Sequence, residues 1–396
     1  MAVESKQSLK FIYAHSIAEL DAKRWNEVVR GKGVFLSIPY LKAVEASNIG
    51  GLSLRYVMME KAGRPVAVYL FQAVDLSSEG VGGILNLDNY GGISAAVANS
   101  VNALLFKKNA HGKPVFLVCG SLLASGEYGM VGIDSSALSE ASLQYPHVLK
   151  QVKSTLGEVR VVAEMLKDFY QVSEQSIQVN KSDLGTSLRT DPEMVLDMSP
   201  EWKTFEDYLG ALGSKYRVRA NAVRKALDGL AVRQIDLSEM ESRKSELQAL
   251  FAAVSDRAPI RVVKPNTDYL ISLKRHLKDN MSMTAFFLGG RIVAFRTALF
   301  GDGQLEAHYI GTDYDLNKDL CLYQNILYGL IEDGINNRSS RVMFGRTALE
   351  IKSTVGARPH PLACYIRFRN RALNTVVKVL ATGLGPKEWI PRSPFK

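Results

Sequence analysis

One short pattern occurs twice in this chain and constrains its fold more than any other feature. Residues 63–67 read GRPVA and residues 290–294 read GRIVA, so the two copies lie 227 positions apart. Each copy joins two segments that alternate or run apolar, as paired strands do, and its glycine supplies the positive φ of a tight hairpin. Because helical segments precede the hairpin in both halves, the sequence predicts two copies of one α/β domain.

The composition is that of a soluble globular protein. The chain has 396 residues, of which 46% are hydrophobic and 22% charged, and this length permits two or three domains. No segment approaches the roughly 18 apolar residues of a membrane span, and the first ten residues, MAVESKQSLK, lack the apolar core of a signal peptide. The expected location is the cytoplasm, with peripheral contact at the inner membrane face left open.

The charge balance favours anionic partners. Forty-nine basic residues against forty acidic ones give a net charge of +9, which suits nucleotide phosphates, tRNA, acyl carrier protein or lipid headgroups without choosing among them. The three cysteines, Cys119, Cys321 and Cys364, are odd in number and far apart. Their spacing argues against a disulfide framework and against a cysteine metal site, and no metal is expected.

A polar segment at 180–200 divides the chain. The predicted domains are 1–190 and 191–384, followed by a basic, flexible tail at 385–396 that contains Trp389 and Phe395. A helix is expected to start at Thr204, with Asp207 completing a capping box. In the first half, the glycine-containing segment 89–94 precedes a helical pattern and is either a simple turn or a set of backbone amides facing an anion.

A basic helix is predicted shortly after this boundary. Five cations fall within residues 215–225 with no acid among them: Lys215, Arg217, Arg219, Arg224 and Lys225. Like charges at helical spacing cost stability. The pattern therefore indicates either binding of an anionic ligand or a solvated face compensated by acids elsewhere in the fold.

A strand at 304–311 carries two groups that could accept a proton. Glu306 and His308 are two residues apart, and side chains two apart in a strand share a face. Tyr309 follows, and Tyr323 lies in an amphipathic helix predicted at 319–335. A histidine on an inward strand face is either a general base or a core group with its hydrogen bonds satisfied.

The segment 345–357, GRTALEIKSTVGA, holds the densest set of polar side chains. Its spacing predicts a helix with Arg346 and Glu350 four residues apart, Lys352 on another side and Gly356 at the end. These residues form either an anion-binding group or an ordinary surface Arg–Glu pair with a solvated lysine.

These features resemble the GNAT-fold acyltransferases of the Fem type. The resemblance is carried by the hairpin, the helix at 319–335 and the block GRTALEIKSTVGARPHPL followed by YIRFRNR, and it is closest across 200–372. It implies an α/β fold of two tandem GNAT-like domains with mixed, mostly antiparallel sheets flanked by helices. It also implies that Lys352 faces the donor carbonyl or a nearby anion, and that Lys215 and Arg217 lie beside the acceptor.

The chain departs from single-domain GNAT acetyltransferases at one point. Between the strand ending near Tyr309 and the next helix it reads GTDYDLNKDL, with no Arg/Gln-x-x-Gly-x-Gly/Ala loop. Such a loop holds the pyrophosphate of coenzyme A on backbone amides, so an acetyl-CoA donor is disfavoured relative to a larger thioester or an aminoacyl ester.

The resulting hypothesis is an N-acyltransferase that moves an acyl group from a thioester, acyl-CoA or acyl carrier protein, to a primary amine of a small molecule or lipid precursor. No tightly bound cofactor and no DNA partner are expected. Two alternatives stay open: a Fem-type aminoacyltransferase that uses aminoacyl-tRNA, and a non-catalytic basic module that binds RNA or anionic membrane. The candidate catalytic residues are His308, Glu306 and Lys352, and the candidate substrate-binding residues are Arg346, Glu350, Tyr309, Tyr323, Lys215, Arg217 and Arg219.

Overall fold

The computed structural model describes residues 8–78, 111–257, 262–381 and 389–396. The turn expected at 89–94 and the helix expected after it lie outside these residues. The strands are β1 (Leu9–Ala14), β2 (Leu52–Lys61), β3 (Arg64–Asp75), β4 (Lys113–Cys119), β5 (Met130–Gly132), β6 (Val159–Tyr170), β7 (Thr186–Arg189), β8 (Glu193–Asp197), β9 (Ala231–Gln234), β10 (Met281–Leu288), β11 (Arg291–Gly301), β12 (Gln304–Thr312), β13 (Arg341–Met343), β14 (Arg358–His360) and β15 (Leu362–Phe368).

The helices are α1 (Ala22–Val29), α2 (Ile38–Ala46), α3 (Ser135–Ser154), α4 (Gln171–Glu174), α5 (Lys181–Leu184), α6 (Phe205–Ala211), α7 (Ser214–Lys225), α8 (Leu237–Ser242), α9 (Lys244–Ser255), α10 (Thr267–Leu277), α11 (Tyr314–Leu320), α12 (Leu322–Asn336), α13 (Leu349–Thr354) and α14 (Arg371–Ala381). Across these parts of the chain, no helix has both the length and the apolar character required to cross a bilayer.

The described residues form two compact units. Unit 1 takes those within Met1–Thr190, Pro259–Lys264 and Pro361–Pro386, and unit 2 takes those within Asp191–Ala258, Pro265–His360 and Lys387–Lys396. The sequence-based division assigns 361–384 to the C-terminal domain, and this assignment is corrected here. β15 pairs with β6 and β7 in the sheet of unit 1. Pairing of this kind is non-local, so periodicity along the chain does not reveal which sheet a strand joins.

The two sheets have the same arrangement of strands. In unit 1 the order is β1-β2-β3-β4-β6-β15-β7, with β5 also paired to β3, and in unit 2 it is β9-β10-β11-β12-β13-β8-β14. Four antiparallel strands are followed by a parallel neighbour, β6 beside β4 and β13 beside β12. Two further antiparallel strands complete each sheet. The predicted α/β class with mixed, mostly antiparallel sheets is confirmed.

The repeated hairpin has the same geometry in both units. Its two turn residues have positive φ, +49° at Ala62 and +77° at Gly63, and +58° at Gly289 and +82° at Gly290. The register shifts at an equivalent place in each copy, between Met59 and Glu60 and between Phe286 and Phe287. The local turn chemistry read from the sequence therefore specifies both hairpins.

Residues 389–396 of the tail pack on unit 2, whereas the sequence suggests a flexible tail. The ring of Phe395 lies 5.5 Å from Trp202 and 6.1 Å from Tyr208. A Cβ atom at Gly356 would come within 2.3 Å of the same ring, so glycine leaves room for it. The backbone N–H of Gly213 also donates to the Pro394 carbonyl at 2.8 Å. Aromatic burial and backbone hydrogen bonds together hold the segment.

Candidate functional site

The parallel pair β12–β13 of unit 2 separates soon after it begins. Its register joins Gln304 to Arg341, Leu305 to Val342 and Glu306 to Met343, and then ends. Beyond this point the chain after β13 pairs toward β8, since the Phe344 N–H donates to the Met194 carbonyl at 2.8 Å. Among the described strands, β12 continues to Thr312 without a neighbour on this side. The separation leaves a gap at the strand edge where a ligand carbonyl or amide can hydrogen-bond.

A β-bulge lies on β12 beside the gap. The register with β11 shifts between Arg296 and Ala298, so Thr297 opposes both His308 and Tyr309. The Thr297 hydroxyl donates to the Tyr309 carbonyl at 2.7 Å and accepts from the Tyr309 N–H at 2.8 Å. A bulge redirects the side chains of the strand that carries it. It explains why two consecutive residues, His308 and Tyr309, both reach the ring of Tyr269.

His308 is held as a neutral imidazole. Its Nε2 lies 2.7 Å from the Tyr269 hydroxyl on α10, and its ring packs 4.4 Å from Tyr309. Burial disfavours the charged ring and lowers the pKa of His308 to about 3. Burial also raises the pKa of Tyr309, whose ring packs 5.0 Å from Phe251 of α9. Nothing in the local sequence predicts Tyr269 as the partner of His308, because the contact spans 39 residues.

Glu306 is buried at the start of the gap. Only 5% of the residue is exposed, and it occupies the last position of β12 that pairs with β13. Its chain neighbours Leu305 and Ala307 belong to or pack on the core cluster that contains α6 and α12. Because strand side chains alternate, Glu306 faces the opposite side, toward α9 and α10, the side that also carries His308.

The loop after β13 is built around Lys352. Only 4% of this residue is exposed, and its Nζ donates to the carbonyls of Phe344 at 2.8 Å, Gly345 at 3.3 Å and Arg346 at 2.5 Å. Three carbonyl acceptors match the three N–H groups of an ammonium, whereas a neutral amine offers two. These contacts exclude the alternative in which Lys352 is a solvated lysine on the surface. In this structure the Nζ of Lys352 faces the protein backbone, and its role toward a donor carbonyl or a nearby anion, implied by the resemblance, stays a prediction.

Two opposing effects act on the Lys352 ammonium. Burial lowers its pKa to about 7, while the carboxylates of Glu193 and Asp191 favour the charged form. The three carbonyl acceptors also favour the charged form of Lys352. The same loop has positive φ at Gly345 (+66°), Thr347 (+66°) and Ala348 (+47°). Left-handed backbone at a β-branched residue is strained, so the ammonium holds a strained loop in place.

The helix predicted from Arg346 onward is shorter than expected. α13 begins at Leu349, so Arg346 lies half-buried in the loop before it. Glu350 is exposed and accepts from Arg392 of the tail, whose Nε lies 3.1 Å from its Oε1. The expected Arg346–Glu350 spacing on one helix is therefore wrong. The helix begins late, and the carbonyls of Phe344, Gly345 and Arg346 in the preceding loop accept from the Lys352 side chain.

The remaining predicted site residues lie on α7 and α12. Lys215 and Arg219 are exposed and Arg217 is half-buried, and the contacts of α7 run to α12, through Arg224 and Glu332 at 3.2 Å, and to the tail. Tyr323 is partly buried against the unit 2 core, and burial raises its pKa. The structure thus places Glu306, His308 and Tyr309 on one strand and links Lys352 of α13 to Arg346 in the preceding loop. The cations Lys215, Arg217 and Arg219 lie on another helix, α7.

The starts of α11 and α12, which follow β12, are capped by the chain's own side chains. The Asp313 side chain accepts from the Asp315 N–H at 3.1 Å at the start of α11 and pairs with Arg291 at 3.1 Å. The Asn317 side chain accepts from the Tyr323 N–H at 2.9 Å in the first turn of α12. Acidic groups and an internal cap at these helix starts disfavour a pyrophosphate there.

Comparison with known proteins supports the fold. No protein-family model and no curated protein sequence matches the chain. A solved structure described as FemX matches 93% of this chain and 100% of its own, with 9% identity and a TM-score of 0.54. A tandem GNAT protein from the clavulanic acid biosynthesis pathway covers 92% and 99%, with 7% identity and a TM-score of 0.47.

A third structure, the C-terminal domain of a putative lysylphosphatidylglycerol synthetase from Agrobacterium fabrum, covers 69% of this chain and 84% of its own, with 14% identity and a TM-score of 0.41. Of these three structures, FemX has a TM-score above one half, and its match extends over nearly the whole chain. The structure therefore has the tandem GNAT-like α/β fold of FemX, and the fold resemblance to Fem-type acyltransferases predicted from the sequence is confirmed.

Proposed function

We propose that this protein is an N-acyltransferase whose reaction takes place in the gap between β12 and β13. The observation that carries the proposal is the separation of these strands at Glu306, directly before the bulge at His308 and Tyr309. A strand edge of this kind can bind an extended acyl donor, and the buried acid and half-buried imidazole beside it can receive an amine. The FemX-like fold supports this choice of reaction class.

The chemistry requires a neutral amine next to a fixed carbonyl. We assign the proton-accepting role to Glu306 and a positioning role to His308. An imidazole whose pKa lies near 3 is a weak base at neutral pH, but as a neutral ring it can hold an amine by a hydrogen bond. Fixing the two reactants in place supplies much of the rate in such reactions.

The loop after β13 supplies the positive charge near the gap. Arg346 is proposed to stabilise the oxyanion or to hold an anionic part of the donor, a kind of interaction that contributes about 3 kcal/mol in related sites. Lys352 acts through this loop as a positioning residue. The exposed cations of α7 attract an anionic donor or acceptor.

The donor is proposed to be a thioester, with acyl carrier protein favoured over coenzyme A because the starts of α11 and α12 are capped internally. To test this, the full chain is incubated with acyl-CoA, acyl carrier protein thioester or charged tRNA, each with a panel of primary amines, and the products are identified by mass spectrometry. Amide formation from a thioester supports the proposal. Activity that requires tRNA and disappears with ribonuclease indicates the aminoacyl-tRNA reaction, and no amide from any donor contradicts enzyme function.

A further inference from the structure

The outward face of α7 combines positive charge with an exposed aliphatic side chain. Lys215, Arg219 and Lys225 are exposed, and the helix sequence, SKYRVRANAVRK, contains no acid. Val218 is 69% exposed, the highest value among the large hydrophobic residues described. On the helical wheel it lies opposite the buried Ala220 and Val223, so it occupies the outermost position of the helix.

The tail packs beside the start of α7. The Gly213 N–H donates to the Pro394 carbonyl, and the Arg392 guanidinium lies within electrostatic range of Tyr216. Ile390, two residues before Arg392, is 67% exposed. The exposed acid Glu350 is neutralised by Arg392. Val218 therefore lies among the cations of α7, and Ile390 is a second exposed aliphatic side chain on the adjoining tail.

We propose that α7 and the tail form a docking surface for an anionic phospholipid bilayer. Lipid headgroups pair with the lysines and arginines, each of which strengthens binding near a charged membrane, while Val218 and Ile390 enter the interface between headgroups and acyl chains. RNA would use the same cations, but single strands bind through aromatic stacking platforms, and aliphatic side chains at the outermost position give RNA no advantage. Charge and apolarity together favour the bilayer. The inference concerns binding alone and does not require acyl transfer.

The test measures binding of the full chain to vesicles of phosphatidylcholine with and without phosphatidylglycerol, in the absence of substrates. We expect binding only when phosphatidylglycerol is present, with a steep decrease as salt is added. Val218→Ser should weaken binding about tenfold, through lost apolar burial, and Lys225→Gln about fivefold. The matched controls on α3 are Leu143→Ser, at a residue 52% exposed, and Lys150→Gln, at an exposed lysine.

All four variants change exposed side chains, and circular dichroism melting is expected to match the wild type. Equal binding to both kinds of vesicle, or equal weakening by the α3 and α7 variants, would overturn the proposal. Binding to tRNA without binding to vesicles would overturn it in favour of an RNA surface. Because no substrate is present, these outcomes are separate from success or failure of the acyltransferase assay.

Discussion

Lys352 is the residue whose role changes most between sequence and structure. The sequence predicts that Lys352 lies on a helix, but its position in the helical pattern does not indicate which backbone groups its side chain contacts. In the structure its Nζ donates to the carbonyls of residues 344–346 and is buried. This outcome could not be read from periodicity, because it depends on how the loop before α13 folds back over the side chain.

Replacing Lys352 by methionine should therefore destabilise unit 2. Lys352→Met keeps the length of the side chain but leaves three buried or partly buried carbonyls without their donor, at a cost of about 3 kcal/mol. For a unit of this size the midpoint of thermal unfolding should decrease by roughly 6–12 °C. The control is Lys318→Met, at an exposed lysine of α11, where we expect little change. Equal midpoints for the two variants would show that Lys352 does not hold the loop.

His308 should make the folded protein less stable as the pH falls. Its pKa is about 3 in the folded state and 6.5 in its ordinary state. Below pH 6.5 the unfolded chain takes up a proton at His308 that the folded chain does not. The contribution of His308 to the free energy of unfolding is therefore complete above pH 6.5 and is lost as the pH falls toward 3.

The measurement is the decrease in the thermal midpoint between pH 7 and pH 5. We expect a smaller decrease for His308→Gln than for the wild type, and no such difference for His15→Gln, which changes an exposed histidine. If His308→Gln shows the same decrease as the wild type, His308 is not a buried neutral group.

At the scale of elements, β12 and its bulge define the candidate site. The sequence predicts the strand at 304–311 and places Glu306 and His308 on it, but the bulge depends on a single hydroxyl of the neighbouring strand. Thr297 satisfies both the N–H and the carbonyl of Tyr309. Local sequence contains the turn signals that specify the hairpins at Gly63 and Gly290, whereas it contains no comparable signal for a bulge fixed across two strands.

Thr297→Val tests the contribution of this hydroxyl. The substitution leaves two buried backbone groups without their partner and should cost about 2 kcal/mol of folding free energy, measured by denaturant unfolding. Thr312→Val is the matched control on β12, since the Thr312 hydroxyl is buried and has no hydrogen-bond partner among the described residues. We expect Thr312→Val to have the same free energy of unfolding as the wild type or a slightly higher one. If Thr297→Val leaves the folding free energy unchanged, the bulge persists without the hydroxyl.

At the scale of the whole molecule, the two units share one sheet order but differ where chemistry is proposed. In unit 1 the pairing of β4 with β6 ends at Cys119 and Leu166, and the following edge is covered by the unit's own loop. Gly126 donates to Asp168 at 3.3 Å, Lys167 donates to the Ala124 carbonyl at 2.9 Å, and Glu127 accepts from the Tyr170 N–H at 2.5 Å. The duplication predicted from the repeated hairpin is thus visible in the fold, while the difference between its copies is not encoded in that pattern.

The duplication also has contacts that the sequence does not indicate. In unit 1, Arg24 donates to the carbonyl of Gly63 at 2.8 Å, and in unit 2, Arg243 donates to the carbonyl of Gly290 at 3.1 Å. Both turns are therefore held by an arginine from the helical segment that precedes the hairpin. The repeated pattern specifies the turn, and only the folded chain shows the shared support.

The central claim is that acyl transfer occurs at the β12–β13 gap of unit 2. The most direct test is the turnover rate of Glu306→Gln, compared with Glu127→Gln at the covered edge of unit 1, using the thioester and amine identified by the donor screen. We expect Glu306→Gln to lower turnover by about 10²- to 10⁴-fold, the usual contribution of a general base, and Glu127→Gln to retain it. Full turnover by Glu306→Gln, with loss confined to Glu127→Gln, would contradict the account.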